Sequence, residues 1–151
     1  MVYNCFEIAK YFIELSRSES RGMDPMKLLK LTYIAQGFYL AFFDRPLFNN
    51  EIQAWKYGPV IPELYHVIKP FGYNNVDLRV LDLHTKKPVL GEDKRFLESL
   101  WDAYKNYSGI ELSELTHREN TPWHKCFKNN VESCKISNSL IKDYYKLKIA
   151  S

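Results

Sequence analysis

From Asp24 to Phe43 the chain is apolar nearly all round, relieved mainly by Lys27, Lys30 and Gln36. A helix that is hydrophobic on every side is normally a buried one. Asp24 followed by Pro25 supplies an N-cap and a proline at the first helical position, so the pattern predicts a buried central helix over 25–43. Before it, Phe6, Ile8, Ala9, Phe12, Ile13 and Leu15 recur at helical spacing and predict an amphipathic helix from Asn4 or Cys5 to about Arg17. The Ser-rich stretch 16–22 ends it.

Residues 51–57 alternate instead. Ile52 and Ala54 face one way and Gln53, Trp55 and Tyr57 the other, as in a strand, which Gly58 and Pro59 then break. Pro62 and Glu63 open a short helix with the stripe Leu64, Tyr65, Val67, Ile68 and Phe71. From Gly72 to Gly91 the pattern is weak, with a turn signal at Asn74–Asn75 and short alternation through Val76, Leu78 and Val80, which predicts one or two minor strands or loops. Helical spacing returns over Glu92–Tyr107 through Phe96, Leu97, Leu100, Trp101 and Tyr104. Ser108 with Glu111 forms a capping-box pattern for a helix ending near His117, and Thr121–Pro122 starts another through Phe127. Ser137 caps the last helix, with Ile136 and Ile141 as its hydrophobic staple. The expected fold is mainly α, a single domain over 1–151: a compact bundle of about six to seven helices with a small β-hairpin or short strands near residues 51–57 and 76–90.

Composition narrows the class. With 46% hydrophobic and 26% charged residues in 151, this is an ordinary globular chain except for its 15% aromatic content. Those rings must fill a core or meet a partner. A net charge of +3 is below that of a dedicated nucleic-acid binder. Three cysteines, Cys5, Cys126 and Cys134, form no dense framework and read as free thiols of a reducing compartment. No leader pattern is visible at MVYNCFEIAK and no apolar run reaches the roughly 18 residues of a membrane span, so the expected location is cytoplasmic, with no membrane partner.

Catalytic signatures are missing: there is no phosphate-binding glycine loop, no nucleophile elbow and no metalloprotease helix. The best nucleophile candidate is Cys126 with His124 or His117, but a helical spacing of two sets Cys126 and His124 on different faces. His117, His124, Cys126 and Cys134 could together be read as zinc ligands of a small metal-dependent enzyme, although they lack the close ligand pairs of structural zinc sites. Lys135, Lys142, Lys146 and Lys148, interleaved with Tyr144 and Tyr145, could be read as a nucleic-acid surface; a solvated amphipathic face explains them better.

Two tracts stand out, AWKYGPVIPELY from Ala54 to Tyr65 and ELTHRENTPW from Glu114 to Trp123. Each combines aromatics, prolines and a turn, a composition suited to a rigid surface loop, and Trp and Tyr are enriched in binding hot spots. Large aromatics are mostly well buried. Trp55, Tyr65 and Trp123 are therefore expected to lock short elements onto the core, with Lys56 and Tyr57 as the exposed members.

In these tracts the chain resembles the Panacea-domain antitoxins, a SocA-like family often found in prophages. The resemblance runs from KLLKLTYIAQGFYLAF, beginning at Lys27, through RPLFNNEIQAWKYGPVIPELYHVIKPFG to ELSELTHRENTPWHKC. It implies a mostly helical domain with a small strand component that binds and neutralises a cognate toxin protein encoded by an adjacent gene, by occlusion or by delivery to a protease, with no cofactor. Position by position it marks Trp55, Lys56, Tyr57, Gly58, Pro59 and Pro62 in the first motif, and Leu115, Thr116, His117, Pro122 and Trp123 in the second. One departure is the four residues Arg118–Thr121 between His117 and Pro122, a spacing expected to alter the loop that presents His117. Family members with an added DNA-binding domain exist; no such segment is visible here, so nucleic acid is not an expected partner.

Overall fold

Asn4 closes a capping box on the first helix: its side chain accepts from Glu7 N at 3.0 Å while the Glu7 carboxylate accepts from Asn4 N at 2.9 Å. In this computed structural model, which describes residues 2–127 and 134–150, that helix is α1, Cys5–Ser18. The second Glu7 oxygen accepts from Lys86 N and Lys87 N at 2.7 and 2.8 Å. One buried carboxylate therefore caps α1 and fixes the loop beside it.

Helix α2, Pro25–Phe43, is the buried centre the pattern predicts, capped by Asp24 on Lys27 N at 2.9 Å. It packs against α1, the hairpin and four of the later helices. The polar residues that relieve its apolar surface are each partnered. Gln36 donates to the Phe48 carbonyl at 2.8 Å and accepts from Leu47 N at 2.9 Å, fastening the segment after the helix to its side. Lys27 donates to the Lys105 carbonyl at 2.6 Å, and Lys30 to the Pro59 carbonyl at 2.7 Å.

Next comes the hairpin of β1, Gln53–Trp55, and β2, Gly58–Val60, antiparallel with Trp55 opposite Gly58. The stretch Gly58–Pro59, read from sequence as a strand breaker, begins the second strand. β2 is an edge of the three-stranded sheet, ordered β2-β1-β3, and an edge strand tolerates a proline that cannot donate to the ladder. Helix α3, Pro62–Ile68, follows and tightens into a 3₁₀ turn at Lys69–Phe71.

The minor strands expected near 76–90 are not formed. Residues Arg79–Asp82 make a short helix, α4, and the rest are turns. Leu81 is buried there, so an inward leucine at helical spacing outweighs the apparent alternation of Val76, Leu78 and Val80. Helices α5, Gly91–Tyr104, α6, Gly109–Thr116, and α7, Pro122–Cys126, arise where the periodicity and caps place them. The third strand, β3, Cys134–Lys135, pairs with β1, and the last helix, α8, runs over Asn138–Ala150.

The fold is mainly α, with eight α-helices among the described residues, one or two more than the pattern suggests; the surplus is made of short helices such as α4. Helix α8 lies tightly on α2 because Gly37 leaves room for Tyr145, whose ring would be 2.3 Å from a Cβ at that position. Cys126 and Cys134, expected as free thiols, are joined in a disulfide: pairing of β3 beside β1 brings their Cα atoms to 6.1 Å. Cys5 remains a free thiol, fully buried, and burial pushes its pKa far up. No helix among the described residues is long and apolar enough to cross a membrane.

Candidate interaction surface

The two aromatic tracts, far apart in sequence, meet at the hairpin. Three of its carbonyl groups accept hydrogen bonds from side chains of three other elements. The Trp123 indole N–H on α7 donates to the Trp55 carbonyl at 2.5 Å, the Ser113 hydroxyl on α6 to the Tyr57 carbonyl at 2.7 Å, and the Lys30 ammonium on α2 to the Pro59 carbonyl at 2.7 Å. The tip is thus held from beneath, where a β-turn alone would be exposed to solvent.

Trp55 and Tyr65 are half-buried and meet edge to face with ring centroids 5.1 Å apart, while the Trp55 indole N–H donates to the Gln53 side chain at 2.9 Å across one strand face. Gly58 is buried with φ +119°, a conformation costly for any residue with a Cβ, and a Cβ there would lie 3.0 Å from Lys30 Nζ and 3.5 Å from His117 Cβ. Glycine is required here for both backbone and space. Pro59 is buried in β2 and Pro62 occupies the first position of α3.

From the second tract, Thr116 is buried and its hydroxyl donates back to the Leu112 carbonyl at 2.8 Å. His117 caps α6 and its Nδ1 is hydrogen-bonded to the Ser113 carbonyl. A carbonyl only accepts, so Nδ1 carries the proton. The imidazole also lies 5.3 Å from the Trp123 ring, edge to face. The four-residue link from Arg118 to Thr121 is accommodated by Asn120 at φ +66°, after which Thr121 caps α7 on His124 N at 3.2 Å and Pro122 is buried at the first helical position. Trp123 stacks on Phe127 at 4.9 Å.

Among the marked residues, the structure exposes Lys56 and Tyr57, half-buries Trp55, Pro62, Tyr65, His117 and Trp123, and buries Gly58, Pro59, Thr116 and Pro122. Two residues essential to the arrangement were not marked from sequence, Lys30 and Ser113. A lysine within an otherwise apolar helix is the signal that points to Lys30. It is 2% exposed with no ion-paired carboxylate among the described residues, and burial lowers its pKa to about 7.

The nucleophile pair is not assembled. Cys126 sulfur is bonded to Cys134, and His124 Nδ1 accepts from Asn120 N at 3.2 Å. No cluster of three or more His, Cys, Asp or Glu arranged to hold a metal occurs among the described residues.

Beside the hairpin runs a groove of about 800 Å³ between the N-terminal ends of α2 and α6, floored by Leu29 and Val60. Lys56 and Lys69 stand over the rings of Tyr57 and Tyr65, at 5.3 and 5.9 Å.

A small helical scaffold thus fixes an aromatic and lysine-bearing turn above a groove. Residues 28–124 match the model of the antitoxin SocA-like family, Panacea domain, and the chain belongs to that family. Antitoxin SocA of Caulobacter vibrioides (strain NA1000 / CB15N) is 27% identical over 156 residues, covering 95% of this chain and 83% of that protein. No solved structure matches.

Proposed function

We propose that residues 1–151 act as one antitoxin domain that neutralises a cognate protein toxin by direct binding, without catalysis. Family membership supports the antitoxin role, and the convergence of both motifs on one anchored, partly exposed hairpin supports binding through that face. His124, two positions from Cys126, accepts from Asn120 N and is not set against a thiol, which favours binding over chemistry. A toxin encoded by an adjacent gene and a cytoplasmic site of action belong to this reading, as does either occlusion or delivery to a protease.

A nucleic-acid reading through the C-terminal helix has less support. Lys142 is bound to Asp44 at 2.7 Å, Tyr145 is buried against Gly37, and Lys135 lies 3.8 Å from Glu51. Two of the four lysines of that segment, Lys135 and Lys142, thus have local carboxylate partners, which interrupts a continuous cationic track.

The test is co-expression with the adjacent gene product, scoring growth and co-purification together. Rescue of growth with a recovered complex is the expected result. A neighbour that is toxic but neither rescued nor bound would overturn the reading.

A further inference from the structure

We propose that the groove beside the hairpin receives an acidic segment of the partner protein carrying an apolar or aromatic side chain. This inference rests on the antitoxin reading and adds the chemistry of the contact.

The groove combines two features. The first is apolar. Around the buried floor of Leu29 and Val60, the rim presents Tyr57, Tyr73 and Ile110 at 64%, 100% and 73% exposure. Exposed rings and aliphatic side chains gathered around one concavity mark an interaction site, whereas single scattered ones do not. A volume of about 800 Å³ accommodates several side chains of an inserted segment.

The second feature is charge. The exposed Lys56 and Lys69 line the groove, and neither forms an ion pair among the described residues. The lining contains one carboxylate, Asp24, already engaged by Lys27 N at the start of α2. Lys56 and Lys69 are held over tyrosine rings, which leaves their ammonium groups available to an anion while their stems cover apolar surface. Carboxylates on the incoming segment would meet the two rim lysines, and its apolar side chain would descend towards Leu29 and Val60. Aliphatic floor residues favour a protein side chain over a stacked base.

The test measures binding of full-length protein to the toxin from the adjacent gene, using wild type, K56E/K69E, Ile110→Asp, and the equal-charge control K86E/K94E outside the groove. Lys56, Lys69 and Ile110 are exposed; an aspartate in the first turn of α6 suits the helix dipole, whereas a glutamate at position 69 opposes that of α3, so small changes in melting temperature are expected and every variant is compared in its folded state. The expected result is affinity at least tenfold lower for both groove variants, no change for the control, and wild-type binding that weakens with salt. Wild-type binding with groove variants equally tight would overturn the groove assignment and leave the antitoxin reading standing. Equal loss in K86E/K94E would reduce the effect to net charge and also overturn it. If wild type captures no toxin, or binds an oligonucleotide through Lys56 and Lys69 in its place, both readings fall.

Discussion

The indole N–H of Trp123 donates to the carbonyl of Trp55 at 2.5 Å, joining residues 68 positions apart in sequence. Trp123→Phe keeps most of the ring and removes the donor, leaving a half-buried carbonyl without this partner. A loss of about 1–3 kcal/mol is expected, read as a lower urea midpoint. Trp123→Ala costs more, but less than the ~3–5 kcal/mol of a fully buried tryptophan, because the ring is half-buried. An unchanged midpoint in Trp123→Phe would mean that stacking on Phe127, not the hydrogen bond, fastens α7 to the hairpin.

Lys30 makes stability depend on pH. Burial lowers its folded pKa to about 7 from the ordinary 10.5, so between those values the folded protein holds fewer protons than the unfolded chain. Stability therefore rises with pH through that window, with a slope approaching about 1.4 kcal/mol per pH unit. Below pH 7 the buried charge is most costly. The urea stability of wild type relative to Lys30→Met, measured at pH 7, 8 and 9, should increase along the series. A gap independent of pH would show that the ammonium stays charged throughout.

Gly37→Ala places a methyl group 2.3 Å from the Tyr145 ring. Helix α8 must then lift from α2 or the ring must leave its rotamer, at a cost of about 1–3 kcal/mol. Combining Gly37→Ala with Tyr145→Leu should cost less than the two changes summed, since the second relieves the first. Strict additivity in thermal melts would contradict the close packing.

Reducing Cys126–Cys134 opens a crosslink spanning eight positions. Loop-closure entropy assigns it about 2–3 kcal/mol, and dithiothreitol should lower the urea midpoint accordingly. Cys126→Ser with Cys134→Ser should abolish that response. The fully buried Cys5 should stay inert to thiol reagents until the protein unfolds.

The parts of the fold visible in the sequence are those set by local chemistry. Asp24–Pro25, Ser108 with Glu111, and Thr121–Pro122 each cap a helix where expected, because a cap satisfies backbone groups within its own turn. The alternation at Ile52, Ala54 and Trp55 likewise reports one half-buried strand face. What escaped depends on distant partners. Gly58–Pro59 reads as a breaker until the edge position of β2 is known, and the 76–90 stretch reads as alternating until α1 buries Leu81. The cysteine bridge needs β3 to pair with β1. Of the candidate surface, the motif positions were legible and their division into exposed and buried was legible in part, with Lys56 and Tyr57 outermost. Ser113 carried no signal, because a serine inside a short helix looks alike whether or not a carbonyl from another element lies above it.

The three carbonyl anchors beneath the hairpin also bear on the kinetics of capture. Trp55, Tyr57 and Pro59 have surrendered their backbone freedom during folding, so a partner does not have to freeze this loop and lose about 1–2 kcal/mol per residue in doing so. Docking at the tip should then be close to a rigid-body event. Competing partners would arrive at similar rates, and discrimination among them would be expressed in how slowly each one leaves.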